Sequence, residues 1–398
     1  MGSGIKNKTR NNESQFGGTE IHSAATMVCR TILLSLLAVC SSPLAESLAT
    51  NIPVWFDSSN DLHRDLRYHP EQPERITACV KALSQESCVK LMDIAPNPKI
   101  MLGESSTIVE SSPFDGATLQ RARDILLQTH DPELVTNLET ACHYAKENRI
   151  SQGTDPLGHM GYIDSGDTYV TTESWGVILR ATAAWMQAVD QALESGKPTF
   201  ALTRPPGHHA TRSESNGFCL VNFAAAAALH ALKHPQVQRV SILDWDVHYG
   251  QGVADIVKGN SNIRYVSTHQ VPSFPYMGQV KEIQDGNILT LPMPADTTWT
   301  CGYQTLFDQA LDFVAGDDNW QPDLVIVCAG YDALGSDDLA SCSLTAADFG
   351  SMTRALKSRI NQTPLMFGLE GGYQLQDAGA AGNLQAAVVE TVRALSNE

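Results

Sequence analysis

Five short, largely apolar runs recur along this chain, at Thr199 to Leu202, Arg239 to Leu243, Ile263 to Ser267, Leu324 to Cys328 and Leu365 to Leu369. Each is only four to five residues long, and helix-length segments separate them. Short apolar runs without alternation fit strands buried on both faces, and helical spacers between them fit parallel crossovers. The clearest helical patterns are Ser174 to Glu194, Phe223 to Lys233, Gly302 to Val314 and Thr345 to Ile360. The last opens with Thr345-Ala-Ala-Asp348, a capping box in which side chains and backbone amides satisfy each other. The expected fold is therefore α/β: a single domain with a mainly parallel central sheet flanked by helices, running from residue 51 to residue 398 without internal repeat or linker.

The polar residues fall where such a sheet places ligands. Directly after the five runs come Arg204-Pro-Pro-Gly-His208-His209, Asp244-Trp-Asp246-Val-His248, Thr268-His269, Gly330-Tyr-Asp332 and Glu370-Gly-Gly-Tyr373. Open parallel sheets bind ligands beyond the carboxyl ends of their strands, so the active site is expected there. A spacing of two on extended backbone turns Asp244, Asp246 and His248 to one side. Asp246 and His248, joined by Asp332, would give a metal three protein ligands and leave a position for water, as a catalytic site requires. Two carboxylates and an imidazole suit zinc without excluding iron or manganese. Taken alone, Asp-x-Asp-x-His also fits a self-satisfied polar turn, and adjacent histidines in a Pro- and Gly-rich loop also fit plain backbone hydrogen bonding. Beside a metal, one histidine of the pair can shuttle a proton between water and a leaving amine, while its neighbour needs a carboxylate, for which Asp244 is the candidate. Tyr373 follows two glycines that let its loop turn tightly, so its hydroxyl can serve as an oxyanion donor.

The rest of the sequence bounds partners and compartment. With 27 basic against 44 acidic residues the net charge is −17, which repels nucleic acid and favours cationic partners. Nine cysteines occur with no Cys-x-x-Cys pair, seven of them beyond residue 50, which reads as reduced thiols rather than a disulfide framework. Residues 1–50 differ in character from the remainder of the chain: a polar, weakly basic stretch with Lys6, Lys8, Arg10 and Arg30 leads into an apolar run from Ile32 to Cys40 and then small residues, including Ser47-Leu48-Ala49. The run is too short to span a bilayer, so a removable targeting segment is expected, with a disordered leader as the alternative. Glu13 and Glu20 are unusual for a transit peptide, and Met27 offers a second start. No stable membrane span is expected in the mature chain.

Together, Arg204-Pro-Pro-Gly-His-His-Ala210, Gly217-Phe218-Cys219, Asp244-Trp-Asp-Val-His-Tyr-Gly250, Gly330-Tyr-Asp332 and Glu370-Gly-Gly-Tyr373 resemble the signature set of the histone deacetylase and acetylpolyamine amidohydrolase superfamily. His69-Pro-Glu-Gln-Pro-Glu-Arg75 and Asp167-Thr-Tyr169 fit it too, so the likeness runs from about residue 52 to the C-terminus. The glutamates near Arg75 and the Glu-Gly-Gly-Tyr ending are similar to class II, bacterial-like members; Asp332-Ala-Leu with Ser336-Asp-Asp-Leu-Ala340 is similar to plant and cyanobacterial ones. An organellar address, plastid or mitochondrion, follows from that branch. The resemblance implies an arginase/deacetylase-like fold, zinc on Asp246, His248 and Asp332, His209 as general base and then acid, His208 paired with Asp244, and Tyr373 polarising the acetyl carbonyl. It implies potassium held by Asp244, Asp246, His248, Ser267 and Thr268. Gly217, Phe218, Phe274 and Leu339 would form the substrate tunnel, and Arg75 would lie below the metal where acetate departs.

Two positions depart from that pattern. Gln251 stands where Asp or Asn usually partners the second histidine, which leaves the orientation and pKa of His209 open, and Tyr249 replaces a common histidine. The expected reaction is zinc-dependent hydrolysis of N6-acetyl-lysine in acetylated proteins, releasing acetate. An acetylpolyamine amidohydrolase would share every site residue and differ only at the mouth, where polyamine-selective members carry glutamate in place of Leu339 and where Asp337 and Asp338 offer other charges. A manganese ureohydrolase would need ligands for a second metal that these motifs lack. A catalytically silent acetyl-lysine-binding scaffold would not need the full ligand set with Tyr373.

Overall fold

The computed structural model describes residues 51–65, 68–96, 108–152, 161–163 and 167–396, so the leader expected over residues 1–50 lies outside the described residues. Ala49–Glu398 form one compact unit. In chain order its elements begin with β1 (Ile52–Phe56), α1 (Glu74–Leu83), β2 (Val89–Asp93), β3 (Ile108–Ser111), α2 (Gly116–Thr129) and α3 (Pro132–Gln152). Next come β4 (Gly161–Tyr162), β5 (Tyr169–Val170), α4 (Ser174–Ser195), β6 (Thr199–Leu202), α5 (Phe223–Ala231), β7 (Val240–Asp244), α6 (Gln251–Val257) and β8 (Ile263–Gln270). The chain closes with β9 (Glu282–Gln284), β10 (Ile288–Met293), α7 (Tyr303–Ala315), β11 (Leu324–Ala329), α8 (Ala346–Ile360), β12 (Leu365–Leu369) and α9 (Leu384–Ser396).

Ten strands make one sheet in the order β3-β2-β1-β6-β12-β11-β7-β8-β10-β9, parallel throughout except for β9 against β10. The five expected strands are five consecutive strands of this order, from β6 to β8, and that contiguity brings their carboxyl ends to one rim. Alternate side chains of each strand enter opposite cores: Val325, Val327 and Ala329 pack toward α1, α7, α8 and α9, whereas Leu324, Ile326 and Cys328 pack toward α2 to α6. Burial on both faces is why these strands read as unbroken apolar runs.

Local signals fix the helices that support the rim. The Thr345 and Asp348 capping box opens α8 as expected. Asn222 caps α5 by accepting from the Ala225 amide at 2.9 Å, and its amide group donates to Ala210 O at 3.0 Å, which ties the helix to the loop bearing His208 and His209. The seven described cysteines are free thiols. No described helix is long and apolar enough to cross a membrane.

Two details differ from expectation. Strand β8 runs on to Gln270, so Thr268 and His269 lie inside it rather than beyond its end. Conversely β7 stops at Asp244, and Asp246 to His248 form a bend rather than extended strand. That bend holds because the Asp246 amide donates to Asp244 Oδ1 at 3.1 Å, Val247 N to Asp332 Oδ1 at 2.9 Å, and His248 N to Asp246 Oδ1 at 2.9 Å.

Candidate active site

The rim draws its residues from four neighbouring strands: β6 leads to His208 and His209, β7 to Asp246 and His248, β11 to Asp332, and β12 to Tyr373. Asp246, His248 and Asp332 are buried, and their ligating atoms all lie within 4.8 Å of one another. His248 Nδ1 is 3.2 Å from Asp246 Oδ1 and 2.9 Å from Asp332 Oδ2. The second oxygen of each carboxylate is anchored elsewhere, Asp246 Oδ2 by the Gly371 amide at 2.8 Å and Asp332 Oδ1 by Val247 N. Glycine is required at position 371, since a Cβ there would sit 2.3 Å from Asp332 Oδ2 and 2.5 Å from Asp246 Oδ2. Burial, and then repulsion from Asp246, push the Asp332 carboxyl up to about 7. Two crowded carboxylates and an imidazole, with no lysine or arginine in ion-pair contact among the described residues, are a donor set that a divalent cation relieves. The residues present therefore fit zinc.

His208 and His209 sit beside this cluster with unlike partners. His208 Nδ1 is 3.0 Å from Asp244 Oδ2, which also accepts from the Tyr265 hydroxyl at 2.8 Å. Burial lowers His208, but the charges of Asp246 and Asp244 outweigh it and raise the imidazole above its ordinary value. A dication on Asp246 would cancel part of that push. His209 Nδ1 instead meets Gln251 Oε1 at 2.7 Å, while Gln251 Nε2 donates to His209 O at 3.2 Å. Burial, with the neighbouring His208 and His248, holds His209 well below the usual histidine range. With an amide oxygen as partner, Nδ1 carries the proton and Nε2 keeps its lone pair.

A cavity of about 190 Å³ reaches the pair, lined by Asp167, His208, His209, Gly217, Phe218, His248, Phe274, Leu339 and Tyr373. Phe274 meets the His209 ring edge-on at 4.8 Å, and Phe218 meets the Tyr373 ring likewise at 5.6 Å. Leu339 is about one-third exposed at the cavity. Ser267 and Thr268 are fully buried; Ser267 pairs in register with Asp244 and its hydroxyl lies 3.0 Å from His269 Nδ1. Tyr249 is buried against the His269 ring.

The structure adds contacts that the sequence alone does not give. Glu370 Oε2 accepts from the amides of Gly207 at 2.6 Å and His208 at 3.0 Å, clamping the histidine loop to the end of β12. Arg75 is fully buried, donates to Gly372 O at 2.7 Å and to Glu370 O, and stacks its guanidinium 4.6 Å from the Tyr373 ring centroid. Glu71 joins Arg75 to Arg204, whose Nε donates to it at 2.6 Å. Asp337 faces inward: it is buried and accepts from the Tyr373 amide at 2.6 Å, so its charge is engaged in positioning that loop. A buried acid beside Gly-Gly-Tyr was the only signal available, and sequence separation hid it.

A parallel α/β sheet with a buried Asp-His-Asp cluster and paired histidines at its carboxyl rim defines a hydrolase scaffold built around one metal centre. The histone deacetylase domain pattern matches residues 69–389, and the chain belongs to that family, whose members are zinc-dependent deacetylases. It is 31% identical over 343 residues to "Histone deacetylase 14, chloroplastic" of Arabidopsis thaliana, covering 83% of this chain and 73% of that one. An uncharacterised protein of Synechocystis sp. is 41% identical over 236 residues, 59% of this chain and 74% of its own. Among solved structures, the HDA15 HD domain superposes with a TM-score of 0.69 at 26% identity, covering 88% of this chain and 89% of that chain. An acetylpolyamine aminohydrolase of Burkholderia pseudomallei shares the fold with a TM-score of 0.67 at 22% identity, covering 87% and 98%.

Proposed function

We propose that this histone deacetylase-family hydrolase removes acetyl groups from lysine side chains of proteins. The observation that carries the reading is the narrow cavity walled by Phe218 and Phe274, which leads from Leu339 to His209 and His248. Aromatic walls grip the aliphatic stem of an acetyl-lysine, while leucine in place of a carboxylate at position 339 favours a polypeptide over a second ammonium. Asp246, His248 and Asp332 would hold zinc, which supplies Lewis-acid polarisation of the acetamide carbonyl and acidifies a water when bound. His209, neutral with its Nε2 lone pair free, takes the proton of the attacking water and returns it to the leaving amine. Gln251 fixes the tautomer that makes this possible, and His208 is oriented by Asp244. The Tyr373 hydroxyl donates to the developing oxyanion, a role worth about 10² to 10³ in rate.

A potassium ion would be held by Asp244, backbone oxygens of Asp246, His248 and Thr268, and the Ser267 hydroxyl. Residues 1–50 would act as a targeting segment ahead of the catalytic domain, and the Arabidopsis relative named chloroplastic supports a plastid destination. The deciding experiment compares kcat/KM of the zinc-loaded enzyme on an acetyl-lysine peptide and on acetylspermidine. Preference for the peptide is expected; preference for acetylspermidine overturns the assignment in favour of a polyamine amidohydrolase, and turnover of neither favours a binding scaffold.

A further inference from the structure

On the side of the sheet that carries α4 and α5 lies a second cluster of metal-ligating side chains. His230 is in the last turn of α5, and His234 follows four residues later in the turn that ends it, where Lys233 N bonds to His230 O and His234 N to Ala231 O, both at 3.0 Å. Four-residue spacing puts the two imidazoles on one side of the helix end. Asp190 on α4 faces them. Its Oδ1 is 2.6 Å from His230 Nε2 and 2.9 Å from His234 Nε2, so both rings present the same nitrogen to one carboxylate oxygen. All three ligating atoms fall within 4.8 Å of one another.

We propose that Asp190, His230 and His234 form a second divalent-metal site of the zinc class, distinct from the catalytic cluster. Imidazole nitrogens and a carboxylate oxygen are the donors that zinc prefers, and tetrahedral zinc separates such donors by about 3.3 to 3.5 Å. Opening the two Asp190 contacts, now 2.6 and 2.9 Å, to that spacing moves partly exposed side chains, which are 16%, 26% and 30% exposed. The same exposure leaves a fourth position open to water. Among the described residues no lysine or arginine lies within ion-pair distance of Asp190, so no fixed cation competes for the place. Carbonyl groups at the end of α5 add a negative potential that favours a cation there.

The site would staple α4 to the end of α5. The other end of that helix is held by Asn222 to Ala210, next to His209, so the metal would brace the helix that backs the histidine loop from about 13 Å away. Three ligands at a partly exposed position give an exchangeable ion, weaker than one held by the buried cluster.

Zinc content of the full-length protein, equilibrated in a micromolar zinc buffer and read by mass spectrometry, tests this. Two zinc ions per chain are expected in the wild type, and one in the double variant His230→Gln/His234→Gln with turnover unchanged. Asp332→Ala should also retain one, which the added histidine substitutions remove. Zinc should raise the Tm of Asp332→Ala and leave that of the triple variant unmoved. A wild-type protein that holds a single zinc ion, or a double histidine variant that still holds two, overturns the proposal and leaves Asp190 as a plain hydrogen-bond acceptor for two imidazoles.

Discussion

His208 and His209 are consecutive residues with ring centroids 4.0 Å apart, yet the first leans on the Asp244 carboxylate and the second on the neutral Gln251 amide. The charges of Asp246 and Asp244 raise the first against its burial, whereas burial and the neighbouring His208 and His248 lower the second, which the neutral Gln251 amide does not offset. Groups whose environments push their pKa values apart divide the acid and base work of a site.

Gln251→Glu keeps the side-chain length and adds a negative charge beside His209. The charge favours imidazolium, so more alkaline solution is needed to obtain the neutral base. The acid limb of kcat/KM against pH should move upward by about one unit or more. An unmoved limb would show that Gln251 does not set the ionisation of His209.

Asp332→Ala should lose both zinc at the catalytic cluster and turnover. Gly371→Ala leaves every ligand in the sequence but drives a Cβ into Asp332 and Asp246, so it should also lose that zinc while far-ultraviolet dichroism stays native. Full turnover in a zinc-free preparation would sink the metal mechanism.

Glu71 is fully buried; burial raises its carboxyl, but the charge and hydrogen bonds of Arg204 win, and the carboxyl sits at about 2 instead of 4.5. Its stabilising contribution is complete above 4.5 and drains away as pH falls toward 2. Glu71→Gln strands two buried guanidinium groups, at a cost of about 3 to 5 kcal/mol. Urea denaturation should show that loss near neutrality, narrowing between pH 4.5 and 2.

Leu339→Glu places a carboxylate at the cavity mouth, where it can meet the distal ammonium of a polyamine. The ratio of kcat/KM for acetylspermidine to that for an acetyl-lysine peptide should rise about tenfold, the worth of roughly 1.4 kcal/mol. If the ratio stays put, this position does not govern substrate choice.

N-terminal sequencing of the protein from its native tissue should return a start between residues 40 and 52. Recovery of Met1 would end the targeting assignment.

The central strands are legible in the sequence because burial on both faces makes them apolar runs, and the polar residues that interrupt those runs mark the rim. Outlying strands are harder to see. The edge strand β9, Glu282-Ile-Gln284, is polar and only three residues long, so nothing in its pattern separates it from a loop. The bend at Asp246 escapes a reading by period, since a spacing of two suggests extended backbone, whereas three amides turning onto Asp244, Asp332 and Asp246 itself decide the conformation. Asp337 looks like a surface charge in the sequence, and only the fold shows it buried under the Tyr373 amide. Gln251 stands out as a departure from the family's motif, but its hold on His209 is a matter of distance alone.

The amide that anchors Asp246 comes from Gly371, 125 residues downstream, and Glu370 clamps the His208 amide across 162. No short contiguous fragment of the chain contains the cluster. During synthesis the ligands of β7 and β11 emerge well before the loop after β12 that locks them, so an unfinished chain carries the donors without the geometry. A tightly held ion thus becomes a certificate of completed folding: partially folded or truncated protein is set apart from the native enzyme by what it fails to retain.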